Sequence, residues 1–135
     1  MIRLSEEAGG LPANAALGAT CEDQRRADIN VPHLARAKAA LRPAFSFLSC
    51  EPLLGPINLR RISLGTSPAE FVDMPHVTQA EFTFDGLLGA KSIGWPGLDW
   101  VITGGETDQG AHRARPTHPE WLRSLRDQCD DADVP

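Results

Sequence analysis

What this chain lacks narrows its class first. It has only three cysteines, Cys21, Cys50 and Cys129, widely separated and with no C-x-x-C pair. Such spacing encodes neither a zinc ribbon nor an iron–sulfur loop. Free buried thiols in a reducing compartment are the expectation. No apolar run approaches the length of a membrane span, and Met1 to Glu7 lacks the apolar core of a signal peptide. The expected location is therefore the cytoplasm, away from membranes. Basic residues are outnumbered, 13 Lys and Arg against 18 Asp and Glu, for a net charge of -5. That balance argues against broad nucleic-acid binding, which needs clustered cations on phosphates. The local basic spots, Arg25-Arg26, Arg60-Arg61 and Arg113 with Arg115, read as solvated surface. Tyrosine is absent, whereas 12 glycines and 11 prolines mark a chain with many loops.

What is present suits one domain. A chain of 135 residues with 41% hydrophobic content can bury a modest core. Its organising stretch is Leu98-Asp99-Trp100-Val101-Ile102-Thr103-Gly104-Gly105-Glu106. Leu98 to Thr103 reads as a short buried strand, rich in β-branched residues and closed by a double glycine. The glycines allow a sharp turn or the close approach of a ligand. Glu106 then lies just past the strand, at the edge where parallel α/β folds bind ligands. The pattern recurs twice. Ala16 to Cys21 is a candidate strand followed by Glu22-Asp23, and Phe45 to Cys50 is another followed by Glu51-Pro52. If the three strands run parallel, Glu22, Glu51 and Glu106 share one rim.

Between these strands the helical pattern is intermittent. Leu4 to Ala8 reads as a short helix. Glu22 to Asp28 reads as another, broken at Asn30 to Pro32. His33 to Leu41 carries Leu34, Ala37 and Leu41 at helical spacing and stops at Pro43. Ile57 to Leu64 is a short strand or an amphipathic turn. Residues 66–97 read as an irregular insertion. Within it, Glu81 to Gly86 alternates like a hairpin strand with an Asp85-Gly86 turn, and Phe71 to Met74 is its expected partner. Trp95, before Pro96, is a candidate loop lid. After the third strand, Thr107 to Arg115 is a polar loop. Thr117-His118-Pro119-Glu120 then has the capping-box form with Thr117 as N-cap. Trp121, Leu122, Leu125 and Cys129 follow on one helix face, with Trp121 expected in the core. Val134-Pro135 reads as the start of a further strand.

Four stretches carry a resemblance to a known family. They are Leu17 to Asp28 (LGATCEDQRRAD), Phe47 to Pro56 (FLSCEPLLGP), Asp99 to Glu106 (DWVITGGE) and Arg115 to Trp121 (RPTHPEW). In this order they resemble the uncharacterised, phage-associated family gp thirty-seven / gp sixty-eight. Members of that family look like radical S-adenosylmethionine barrels with a cysteine-rich cluster loop in the N-terminal half. The resemblance implies that this chain corresponds to the C-terminal half, truncated at both ends. It implies S-adenosylmethionine and an iron–sulfur cluster for the full-length protein, and neither held by this chain alone. Ile102 and Glu106 resemble the glycine-rich fifth-strand motif that contacts the cofactor's adenine. Three features depart from the family: the cluster cysteines are missing, Cys21 stands where Val is usual, and Asp108 to Ala114 carries extra residues.

The expectation is thus a partial, half parallel β/α barrel of 135 residues with a hairpin-like excursion. Glu22, Glu51, Ile102, Gly104, Gly105 and Glu106 are its cofactor-binding residues. No catalytic residue and no metal ligand are assigned. His112 with His118 as metal ligands, and Cys50 beside Glu51 as a nucleophile, are weaker alternatives. Expected partners are the missing N-terminal half, or a second copy meeting open sheet edges. The competing functional class is a non-catalytic binding or assembly module, or a degenerate remnant.

Overall fold

Residues 2–65 and 82–135 are described by the computed structural model. Its centre is a three-stranded parallel sheet of β1 (Ala16–Thr20), β2 (Phe45–Cys50) and β7 (Trp100–Thr103), in the spatial order β1-β2-β7. The register pairs Ala16 with Phe45 and Thr20 with Ser49, then Phe47 with Trp100 and Cys50 with Thr103. All three candidate strands of the sequence are present, and all run the same way.

Helix α2 (Gln24–Leu41) links β1 to β2, as a parallel pair requires. It is one helix of 18 residues, where the sequence pattern suggested two. Pro32 lies inside it and is fully buried. Proline forfeits one backbone bond and kinks a helix, but Asp23 caps the start by accepting from the Arg26 N–H at 2.9 Å. Ala27, Val31, Leu34, Ala35 and Ala37 then bury one face across the proline. Tertiary packing outweighs the local break. Arg42 ends the helix in the left-handed region (φ 48), its N–H reaching the Lys38 carbonyl. A short helix α1 (Ile2–Glu7) precedes β1.

The buried side of the sheet comes from alternation. Ser46, Leu48 and Cys50 on β2 are fully buried, and Leu17 joins them from β1. The second face differs. Phe45 is 36% exposed and Trp100 45% exposed, with ring centroids 6.2 Å apart, and Phe45 lies at the same distance from Phe47. Gly18 has no side chain because the Phe47 ring fills that space. The expectation of a wholly buried Leu98–Thr103 strand therefore fails on this face.

Residues 82–97 belong to the core. β3 (Ile62–Ser63) pairs antiparallel with β4 (Thr83–Phe84), and β5 (Gly89–Ala90) with β6 (Trp95–Pro96). Asp85 makes the expected turn, accepting from the N–H groups of Leu87 and Leu88 at 3.0 and 2.9 Å. Phe84, Leu87 and Trp95 are buried in the common cluster. Trp95 is thus not a lid; it packs edge-on against Phe84, centroids 5.5 Å apart. The hairpin partner expected at Phe71 to Met74 lies outside the described residues.

The last helix, α3 (Pro119–Ala132), buries Leu125 and Cys129, while Trp121 and Leu122 are only half-buried. Its N-cap is His118, whose Nδ1 accepts from the Glu120 N–H at 3.3 Å. The Thr117 capping box does not form, because the Thr117 hydroxyl donates to the Leu53 carbonyl at 3.0 Å and Glu120 pairs with Arg123. Among the described residues no helix is long and apolar enough to cross a membrane.

Candidate functional site

Three parallel neighbours that each end in an acid put those acids at one edge. Glu22, Glu51 and Glu106 follow β1, β2 and β7, so Glu51 lies between the other two. Adjacent strands are ~4.8 Å apart, so the flanking strand ends are separated by about 10 Å.

The loop after β2 is tied across this edge. The N–H groups of Leu54 and Gly55 donate to the Glu22 carbonyl at 2.8 and 3.2 Å. On the other side, the Leu53 N–H donates to the Gly104 carbonyl at 2.9 Å. The Glu51–Pro52 peptide is cis. Gly104 and Gly105 prove to serve internal packing. A Cβ on Gly104 would collide with the Glu51 carboxylate, and one on Gly105 would press the Thr117 hydroxyl at 3.3 Å. Ile102 is half-buried on β7, in register with Ser49.

The three acids are in different states. Glu22 pairs with Arg26 at 3.0 Å, one turn into α2. Glu106 is gripped by Arg115: Nη2 to Oε1 at 2.7 Å, Nε to Oε2 at 2.9 Å, and the Arg115 backbone N–H to Oε2 at 2.7 Å. This is the bidentate arrangement that guanidinium favours. The Arg115 side chain, then its backbone N–H, draw the Glu106 carboxyl down to about 2. The Arg115 guanidinium is raised in turn, chiefly by its side-chain bond to Glu106. Among the described residues, the Glu51 carboxylate has no hydrogen bond or ion pair. It lies against Gly104, between the two acids that are paired.

The loop beyond Glu106 is self-braced. Asp108 accepts from Arg113 at 2.8 Å and from the Ala114 N–H at 2.7 Å. Gln109 and His112 exchange two backbone bonds of 3.0 Å. Glu106, His112, Arg113 and Arg115 border a polar cavity of about 330 Å³ there. His118 uses its Nδ1 as the α3 cap, and its ring lies tilted 5.8 Å from that of Trp121.

All three cysteines are free and buried. Burial pushes the Cys21 and Cys50 thiols up to about 12, and Cys129 is raised for the same reason. Thiols held protonated are poor nucleophiles and poor metal ligands. The idea that Glu51 activates Cys50 fails, because Cys50 is fully buried on the helix side of the sheet. Among the described residues, no group of three His, Cys, Asp or Glu is placed to hold a metal ion.

The alternative that the rim acids pair with Arg25, Arg113 or Arg115 holds at Glu106, through Arg115. At Glu22 the partner is Arg26 rather than Arg25.

Compared with known proteins, the chain matches over residues 1–135 the family model described as "Protein of unknown function (DUF5131)". No curated protein and no solved structure matches it.

Proposed function

For a chain that belongs to the DUF5131 family, a family without a known function, we propose a role in a larger catalytic barrel. It contributes part of the rim of a β/α barrel of the radical S-adenosylmethionine type, linked to phages, with an undefined substrate. Glu22, Glu51, Ile102, Gly104, Gly105 and Glu106 border the cofactor and substrate in this reading. The single observation that carries it is the run of three adjacent parallel strands, each delivering a carboxylate to one edge.

The chain's own contribution is electrostatic. Glu51, without a hydrogen bond or ion pair among the described residues, is the acceptor for an ammonium or other cationic N–H donor, and charge-assisted bonds of this kind are the stronger ones. Glu106 orients Arg115, and Arg115 presents its remaining N–H donors beside the rim. S-adenosylmethionine would supply radical chemistry once reduced. An iron–sulfur cluster does not fit here, because Cys21, Cys50 and Cys129 are buried, protonated thiols. In this reading the cluster belongs to the other half of the barrel. Three free thiols also suit the reducing cytoplasm.

One observation favours a second reading, a non-catalytic binding module or a degenerate remnant. Two of the three rim acids are already neutralised by Arg26 and Arg115.

Titration with S-adenosylmethionine of the isotope-labelled chain assembled with the other half of the barrel separates the two. The barrel reading expects amide shifts at Ile102, Gly104, Gly105 and Glu106, with affinity weakened about tenfold in Glu51→Gln, the worth of one charge-assisted bond. Absence of shifts at millimolar ligand, or shifts unaffected by Glu51→Gln, would reject it.

A further inference from the structure

At the end of the sheet where β2 and β7 begin, opposite the carboxylate rim, a groove of about 560 Å³ runs between α2 and the β5–β6 connection. Arg42, which ends α2, and Lys91, which follows β5, both border it, and both are exposed. Among the described residues, neither side chain has a hydrogen bond or an ion pair. Lys38 borders the groove as well, but its ammonium is taken by Asp99 and the Gly97 carbonyl, both at 2.6 Å. Pro43, Trp95 and Pro96 give the groove its apolar lining, and no described carboxylate lines it. In a chain of net charge -5, this is a local reversal of sign.

A compact anion such as phosphate does not suit this groove. Phosphate sites converge backbone N–H groups, often at a helix N-terminus. Here α2 presents its C-terminal end, whose carbonyls carry partial negative charge. The Gly94 N–H is already given to the Lys91 carbonyl at 3.2 Å, and the Arg42 N–H to the Lys38 carbonyl at 3.0 Å. Ala39, on the same groove, has the opposite need. The helical donor to its carbonyl is the N–H four positions on, and Pro43 has none. A fitting ligand brings carboxylates for the two cations, an N–H for a carbonyl, and apolar atoms for the prolines and Trp95. An extended peptide supplies all three, with acids at every second residue about 7 Å apart. We propose that the groove docks an acidic peptide segment of a partner protein, its carboxylates on Arg42 and Lys91. A cation at a helix C-terminus also offsets the helix dipole, which is a second role for Arg42. Lys91 lies outside α2 and has no such role.

The probe is a synthetic peptide of alternating glutamate and leucine, added at low salt to the isotope-labelled 135-residue chain. Expected are saturable shifts of the Arg42, Lys91 and Gly94 amides. Arg42→Gln and Lys91→Gln should each weaken binding about threefold, the size of an exposed ion pair, and together about tenfold. Lys91→Gln should do so with the melting temperature unchanged, which separates docking from helix capping. Equal binding of a peptide with glutamine in place of glutamate, an affinity unchanged in the double variant, or no shifts at millimolar peptide overturns the proposal. So does inorganic phosphate that moves the same amides at lower concentration than the peptide. Shifts that grow with the concentration of the chain alone, and vanish in Asp130→Asn with Asp131→Asn, would give the groove to a second copy and overturn it too. The groove lies at the far end of the sheet from Glu51, so failure of the cofactor titration leaves peptide docking untouched.

Discussion

Asp99 shows how one side chain holds the N-terminal end of the sheet. Its Oδ2 accepts from the Ser46 N–H at 2.6 Å, from the Ser46 hydroxyl at 3.0 Å and from Lys38 Nζ at 2.6 Å. Lys38, only 15% exposed, also donates to the Gly97 carbonyl at 2.6 Å. Partial burial pushes the Asp99 carboxyl up, but the bonds from Lys38 and Ser46 outweigh it, and the net shift is downward. A carboxylate with a depressed native pKa stabilises above its unfolded value of about 3.9 and loses that contribution as pH falls through the native one. Acid unfolding followed by circular dichroism should therefore show a stability loss below about pH 4 that Asp99→Asn flattens. In urea at neutral pH, Asp99→Ala should cost about 2 kcal/mol, since it strands a half-buried ammonium and a buried hydroxyl.

At the scale of elements, residues 57–59 are held by side chains rather than by a strand. Gln128 of α3 donates to the Ile57 carbonyl at 2.9 Å and accepts from the Leu59 N–H at 2.7 Å, a ladder step made by an amide. Gln24 of α2 accepts from the Asn58 N–H at 2.6 Å. These bonds carry the chain from β2 across the ends of two helices, with Leu53, Ile57 and Leu59 buried beneath. Gln128→Ala leaves two backbone groups unmatched, one beside a fully buried leucine. A loss of about 2 kcal/mol in urea unfolding is expected, with the Leu59 amide exchanging faster. A surface exchange of similar size, such as Arg126→Ala, should stay within about 0.5 kcal/mol.

The molecule as a whole has a core on one side of its sheet and an aromatic face on the other. Phe45 is 36% and Trp100 45% exposed, and the β1 edge, unpaired with any strand among the described residues, adds a template for association. Total stability of a small domain is only about 5–15 kcal/mol, so one uncovered sheet face is a large share of it. The chain alone should melt at low temperature or associate, with light scattering rising with concentration. Phe45→Thr with Trp100→Thr should reduce that scattering and leave the buried amides of Leu48 and Cys50 protected. A high-melting, concentration-independent monomer of the unaltered chain would favour a self-sufficient binding domain.

Much of this was readable in the residues. Three apolar runs with β-branched or aromatic content and a carboxylate after each made the strands and their rim legible, because strand propensity and glycine punctuation are local. The Asp85 turn was legible for the same reason. What only the tertiary structure decided was set by groups distant in sequence. Helix α2 runs through Pro32 because its buried face packs on the sheet. Thr117 gives up its capping role because the Leu53 carbonyl, 64 positions away, competes for its hydroxyl. Trp95 is core because Phe84 meets it, and Glu106 is latched because a loop returns Arg115 to it. Whether an acid on a rim is free or neutralised depends on such long-range partners. Hydrophobic period and local propensity carry no record of them.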